Sequence, residues 1–270
     1  MRLIDSHAHL QADAFDADRL AVLREAREAG VARTLVPGWD LESSRQAIEL
    51  ARTADVDASA GIHPHVAGGA DDSTWTAIVD LADRPEVVAV GETGLDYDRG
   101  FSPRVAQLVN LRRHLRLGRA LGKPVILHCR SRAGERDAHD DLLRELAAAG
   151  AGTTDWPTVG GRPPALLHSF SGPLDYAEQA LAMGLAISFS GLVFRAGEEG
   201  SADAARIVPI DRLLTETDSP YLSPPGAPKR RNEPRWAAVT AAWLAEQRNE
   251  NEAALGRRLV SNYDSIFGRR

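Results

Sequence analysis

A TIM-type (β/α)8 barrel carrying an additional C-terminal helix is the fold this sequence predicts. Three observations lead there. Eight short apolar runs of β type alternate with amphipathic stretches, and metal-ligand side chains recur directly after several of the runs. The chain has 270 residues, close to the roughly 250 that such a barrel occupies as one domain. Residues 1–270 are therefore expected to form a single domain. An open, doubly wound sheet is the runner-up. It gathers ligands at one switch point and would not so naturally unite the ends of the first, fourth, fifth, sixth and eighth strands.

The first run, 3–7, leads into Asp5-Ser6-His7-Ala8-His9. Alternate side chains of a strand share a face, so His7 and His9 are expected to point at one ion. Further strands are expected at 33–36, 58–62, 87–91, 125–129, 165–169, 186–189 and 213–217. Between them, 18–29, 41–51, 103–121 and 137–148 space apolar residues three and four apart, as a helix with one buried face does. Gly30, Gly122 and Gly184 stand just before strands, where a left-handed glycine ends a helix. The eighth helix is expected to begin near Pro234, capped by Asn232-Glu233-Pro234. Residues 251–267 read as the terminal helix. Two irregular stretches, 150–164 and 220–234, have the length of functional lids, although surface insertions are the commoner case.

With 43% hydrophobic and 26% charged residues, the composition is that of an ordinary globular protein. A chain this long buries about 75% of its unfolded surface and needs no disulfides. Cys129 is the only cysteine, which excludes an intrachain disulfide and suits a cytosolic setting. No apolar stretch approaches the roughly 20 residues of a membrane helix, so no membrane association is expected. A cleavable leader is not expected either, because its removal would discard His7 and His9. Nothing in the pattern points to a partner helix, and a monomer is expected. A net charge of −6 argues against a uniformly basic nucleic-acid surface. Bound divalent cations would offset that charge locally, where a phosphate docks.

His7, His9, Glu92, His128, His168 and Asp218 fall at the C-terminal ends of expected strands, the face where barrel enzymes keep their chemistry. Singly, each has a bland reading: a hydrogen-bonded histidine, or an acid that starts a turn. The co-occurrence of all six outweighs it. Imidazole with carboxylate suits Zn²⁺, Mn²⁺ or Fe and admits Mg²⁺, and six ligands exceed one tetrahedral site. Two ions about 3.5–4 Å apart sharing a carboxylate are the economical arrangement, with Glu92 as the shared group.

Five blocks then carry a resemblance: Asp5-Ser6-His7-Ala8-His9, Gly61-Ile62-His63-Pro64-His65, Gly91-Glu92-Thr93-Gly94-Leu95-Asp96-Tyr97, His168-Ser169-Phe170-Ser171-Gly172 and Glu216-Thr217-Asp218-Ser219-Pro220-Tyr221-Leu222. In this order the chain resembles the TatD-type metal-dependent deoxyribonucleases over nearly its whole length. The resemblance implies an amidohydrolase-like barrel that hydrolyses phosphodiester bonds, typically removing nucleotides 3′→5′ from single-stranded DNA, with RNA ends as a further substrate. Carried over, His7, His9 and Asp218 hold one ion, Glu92 bridges, and His128 and His168 hold the second. Two departures touch the substrate side. Ser131 follows Arg130 where the family carries an acid, and 150–164 is longer than usual.

Stable phosphate esters demand the upper part of the roughly 10⁶- to 10¹⁷-fold range of enzymes. A positioned acid or base supplies only about 10² to 10⁴. Metal-activated water is therefore expected to attack phosphorus, with Asp218 orienting it. His63 is expected to support the ligands from behind, touch phosphate or serve as the acid for the leaving group, and His65 to position. Arg130 is a candidate phosphate clamp, with surface ion pairing an equal rival. The amides near Ser171-Gly172 and Ser190-Gly191 are candidate phosphate sites. Tyr221 is a candidate base stacker, whereas Tyr97 is expected in the core. Lys229-Arg230-Arg231 either tracks a nucleic-acid backbone or is a solvated loop. A same-fold metallohydrolase of esters, lactones or amides is the main rival reading, and a non-catalytic metal-binding protein the second.

Overall fold

The strands of the computed structural model lie in the ring in the order in which the chain presents them; residues 2–154, 156 and 162–268 are described. They are β1 (Leu3–Asp5), β2 (Val31–Val36), β3 (Asp57–Ala60), β4 (Val87–Asp96), β5 (Val125–Arg130), β6 (Ala165–Leu167), β7 (Ala186–Phe189) and β8 (Leu213–Thr215). Each pairs with the next in parallel. The segments following β8 and β1 carry the ring round. Ser6 N donates to Thr215 O at 3.0 Å, Asp218 N to His7 O at 2.8 Å, and His9 N to Ser219 O at 2.7 Å. Three candidate ligands thus sit on two segments that are hydrogen-bonded neighbours.

The helices are α1 (Arg19–Glu28), α2 (Leu41–Thr53), α3 (Asp72–Ala82), α4 (Arg104–Leu121), α5 (Asp137–Ala148), α6 (Leu174–Ala182), α7 (Gly200–Ile207), α8 (Ala237–Arg248) and α9 (Glu252–Phe267). Helices outside and side chains inside bury the strands on both faces: every residue of β3, β4 and β7 is buried. The three glycines expected to end helices all have positive φ.

Four strands, β1, β3, β6 and β8, stop about two residues short of the expected ends, leaving His7, His168 and Asp218 on the turns beyond three of them. At Ser169 and Asp218 the backbone is left-handed (φ 45° and 54°), which no strand continues through. β4 is longer than expected and runs through Glu92, and its pairing with β5 jumps between Val90 and Thr93. Gly91 and Gly94 permit this, with φ of 121° and 138°. A Cβ on either would strike the β5 backbone at Ile126 or His128.

A short 3-10 turn, Pro234–Trp236, leads into α8 close to the expected start. The cap expected from Asn232 is a correction: its buried side-chain amide donates to Thr217 O at 2.8 Å and Leu222 O at 3.4 Å, bracing the turn after β8. Asn251 does cap α9, accepting from Ala254 N at 3.1 Å. α9 buries Leu255, Leu259, Tyr263, Ile266 and Phe267, each large side chain contributing roughly 1.5–3 kcal/mol. Asn262 Nδ2 donates to Leu213 O and the Tyr263 hydroxyl to Asp57 Oδ2. Both acceptors begin strands, so α9 braces the end of the barrel opposite the candidate ligands. Of the 150–164 stretch, residues 155 and 157–161 lie outside the described residues.

Candidate metal centre

Six of the eight histidines (all but His114 and His139) converge on the mouth formed by the C-terminal ends of the strands. Glu92, only 2% exposed, stands at their middle. Its two oxygens face different sets of donors. Oε2 lies 3.3 Å from His7 Nε2 and 3.8 Å from His9 Nε2. Those two nitrogens are 3.3 Å apart, and Asp218 Oδ1 is 3.7 and 3.2 Å from them. Oε1 lies 2.9 Å from His168 Nε2, 3.4 Å from His128 Nδ1 and 3.2 Å from His63 Nε2.

These separations test whether divalent ions fit. A tetrahedral ion with ligand bonds of about 2.0–2.1 Å has ligand–ligand edges of roughly 3.4 Å, and the His7, His9, Asp218 and Glu92 atoms stand at that spacing. On the other side, His168 Nε2, His128 Nδ1 and His63 Nε2 all face Glu92 Oε1 within 3.4 Å. Imidazole nitrogens gathered around a carboxylate oxygen are a donor set that suits a cation. The donor sets on both sides of Glu92 therefore suit divalent cation binding. His63, expected to support the ligands, contact phosphate or serve as an acid, stands as near to Glu92 as the other donors.

Behind the donors is a layer of carboxylates that the site expectations did not include. Asp96 Oδ2 faces His65 Nε2 at 2.7 Å and His128 Nε2 at 3.1 Å. Glu216 Oε1 faces His168 Nδ1 at 3.1 Å, and its other oxygen accepts from Ser188 and Ser6. Asp5 accepts from Thr217 N at 2.9 Å, from the Thr217 hydroxyl at 2.5 Å and from His7 N at 3.3 Å, holding the ligand turns after β1 and β8 together. Carboxylates behind imidazoles fix tautomer and ring orientation. A sequence signal existed: Asp96 and Glu216 lie four residues after and two before predicted ligands, inside the same blocks.

Burial alone would raise the Glu92 carboxyl, but the surrounding His63, His168 and His7 hold it well below its ordinary range. Burial would lower His168, yet Glu92 and Glu216 raise it well above 6.5. Asp218 is also held low, against its own burial, by His9 and His7. Burial pushes His63 down to about 4 despite Glu92. His63 is thus neutral at neutral pH, a ligand or hydrogen-bond nitrogen and a poor proton donor. That disfavours the leaving-group acid expected of it.

A cavity of about 680 Å³ opens above this centre. Arg130 lines it and pairs with Asp98 at 2.9 Å, the surface ion pair expected as the rival to a phosphate clamp. Tyr221 is 58% exposed beside His9, ring centroids 5.8 Å apart. Trp39, absent from the sequence expectations, meets His9 at 5.1 Å. Tyr97 is buried, its hydroxyl donating to Asp141, as expected of a core residue. Cys129 is half-buried beside Tyr176, and desolvation pushes its thiol up to about 12. Of the basic cluster, Arg231 binds Asp18, Glu233 and Ala14 O, leaving Lys229 and Arg230 exposed.

A parallel barrel whose mouth gathers imidazoles and carboxylates around one shared glutamate defines the class: a hydrolase barrel built to hold divalent cations. The sequence profile of the TatD related DNase family matches residues 4–268, and the chain belongs to that family. A protein named 3'-5' ssDNA/RNA exonuclease TatD from Erwinia billingiae (strain Eb661) is 37% identical, over 98% of this chain and 98% of its own. One of the same name from Musicola paradisiaca (strain Ech703) is 36% identical, over 98% and 97%. Among solved structures, YJJV, a TatD homolog from Escherichia coli k12, has a TM-score of 0.87 and 29% identity, covering 100% of this chain and 99% of that one.

Proposed function

We propose that this hydrolase is a metal-dependent exonuclease that removes nucleotides 3′→5′ from single-stranded DNA or RNA ends, with residues 1–270 acting as one domain. The carrying observation is that the two oxygens of Glu92 face two separate donor sets. The names of relatives about 36–37% identical over nearly the whole chain support the substrate and direction, and favour them over a small-molecule ester, lactone or amide.

In this reading His7, His9 and Asp218 would hold one divalent ion (Mg, Mn or Zn) and His128 and His168 the other, with Glu92 available to both donor sets and His63 beside it. Bound there, the ions acidify water and offset the negative charge of the scissile phosphate. Asp218, ionised at neutral pH, orients the attacking water and takes up its proton. Arg130 exchanges Asp98 for a phosphate oxygen, which its planar fork binds in two places. Asp96 and Glu216 keep His65, His128 and His168 oriented throughout. Replacing Asp218 with Asn is expected to lower kcat by about 10² or more while DNA binding changes only a few-fold. Turnover near wild type in that variant would remove Asp218 from the mechanism.

A further inference from the structure

The mouth has two unlike halves. Those lining residues that follow β8, β2, β3 and β4 include Tyr221, Trp39, Val66 and Phe101 beside Arg99, whereas those at the ends of β5, β6 and β7 include Arg130, Ser169, Ser171 and Glu198 beside Leu192. Among the described residues, large hydrophobics are exposed at only a few places, and Phe101 (68%), Tyr221 (58%) and Val66 (39%) all line this one cavity. Such exposure costs solvation unless something covers it, and it is concentrated where substrate must enter.

Phe101 is exposed yet held. Its turn is fixed by Arg99 N donating to Asp96 Oδ1 at 2.8 Å and by buried Gln107, whose Nε2 donates to Asp96 O and Ser102 O. Ser102 Oγ donates to His65 O and accepts from Gly68 N, both at 2.9 Å, tying this turn to the one bearing Val66. The Phe101 ring meets His65 at 4.8 Å with the planes at 82°. A rigid apolar shelf therefore stands against a histidine of the metal centre.

We infer that this apolar arc, with Phe101 and Val66 as its shelf, receives a nucleobase of an unpaired strand while the sugar–phosphate chain runs along the Arg130, Ser169 and Ser171 side. The inference rests on the nuclease reading and names what that mouth selects. A base inside a duplex has both faces covered by its neighbours and cannot offer one to Phe101, so the shelf favours an unpaired strand that can turn a base out of its stack. Stacking on an aromatic ring is tolerant of sequence, because every base has a π-face.

The test is steady-state exonuclease kinetics of the full chain on single-stranded oligonucleotides, with Phe101→Ala, Phe101→Leu and Phe101→Trp beside the wild type. The loss of one stacked base is expected to raise KM for Phe101→Ala by roughly 5- to 100-fold, with kcat within about threefold. Phe101→Trp is expected to restore KM and Phe101→Leu not to. Scanning an abasic unit through the 3′-terminal nucleotides should find one position where wild type and Phe101→Ala have equal KM. An unchanged KM in Phe101→Ala overturns the shelf alone, as does full restoration by Leu, which would make it bulk packing. If the wild type releases no nucleotide at all, the nuclease reading falls and the shelf with it.

Discussion

Mild acid should loosen the mouth through His114, a histidine that touches neither donor set. His114 is fully buried on α4, donates from Nδ1 to Asn110 O at 2.8 Å and accepts from Ile62 N at 3.0 Å. Asn110 Nδ2 donates to Ile62 O at 2.6 Å. Two α4 side chains thus clamp the residue before His63. A protonated ring would turn N–H against the Ile62 N–H and break the clamp. Burial depresses the His114 imidazole from 6.5 to about 4. Above pH 6.5 both folded and unfolded states are neutral at this group. Below it the unfolded chain takes up a proton that the folded one refuses, so stability falls until about pH 4. The full loss is the difference of about 2.5 units at roughly 1.4 kcal/mol each, about 3 kcal/mol, of which about 2 kcal/mol has gone by pH 5. The assay is urea unfolding of metal-stripped wild type and His114→Gln at pH 7.5 and pH 5. The wild type should lose about 2 kcal/mol more than the variant over that interval, because the remaining histidines are common to both. Equal losses would refute the reasoning.

Other perturbations separate the parts of the site. Glu216→Gln should weaken metal binding by roughly 10- to 100-fold in calorimetric titration without altering the circular dichroism, because only the carboxylate behind His168 is lost; unchanged affinity would make Glu216 a packing residue. Metal affinity of the wild type should fall with decreasing pH, because His168, raised well above 6.5 between Glu92 and Glu216, must lose its proton to bind an ion; a flat affinity between pH 8 and 6 would contradict this. Joint replacement of Lys229 and Arg230 by alanine should flatten the salt dependence of DNA binding if they meet phosphates, and an identical slope would mark them as bystanders. Arg231→Ala should lower the melting temperature, since its bonds to Asp18, Glu233 and Ala14 O tie the β8 loop to the first βα loop; an unchanged melting temperature would show that tie to be dispensable.

The alternation of apolar runs and helical periods made all eight strands legible, because a strand buried on both faces is a short, nearly continuous apolar run. Strand ends were less so. β6 and β8 stop just before Ser169 and Asp218 turn the backbone left-handed, and a hydropathy pattern does not register a left-handed turn. The six donors were visible because each followed such a run. Asp96 and Glu216 were passed over as partners because nothing in their spacing shows that they sit behind His128 and His168 rather than in front. Asn232 looked like a helix cap because Asn before Pro carries that signal, whereas the loop after β8 folds back and claims its amide. Trp39 and Phe101 had no local signature; only closure of the ring brings the turns after β2 and β4 beside His9 and His65.

The most direct measurement is mononucleotide release from 3′- and 5′-labelled single-stranded DNA by metal-stripped protein, with Mg²⁺, Mn²⁺ and Zn²⁺ returned one at a time and Asp218→Asn run in parallel. Metal-restored release from the 3′ end, abolished in the variant, is the predicted result. Release that persists without metal, proceeds from the 5′ end or survives in Asp218→Asn would contradict a 3′→5′ exonuclease built on the shared Glu92 centre.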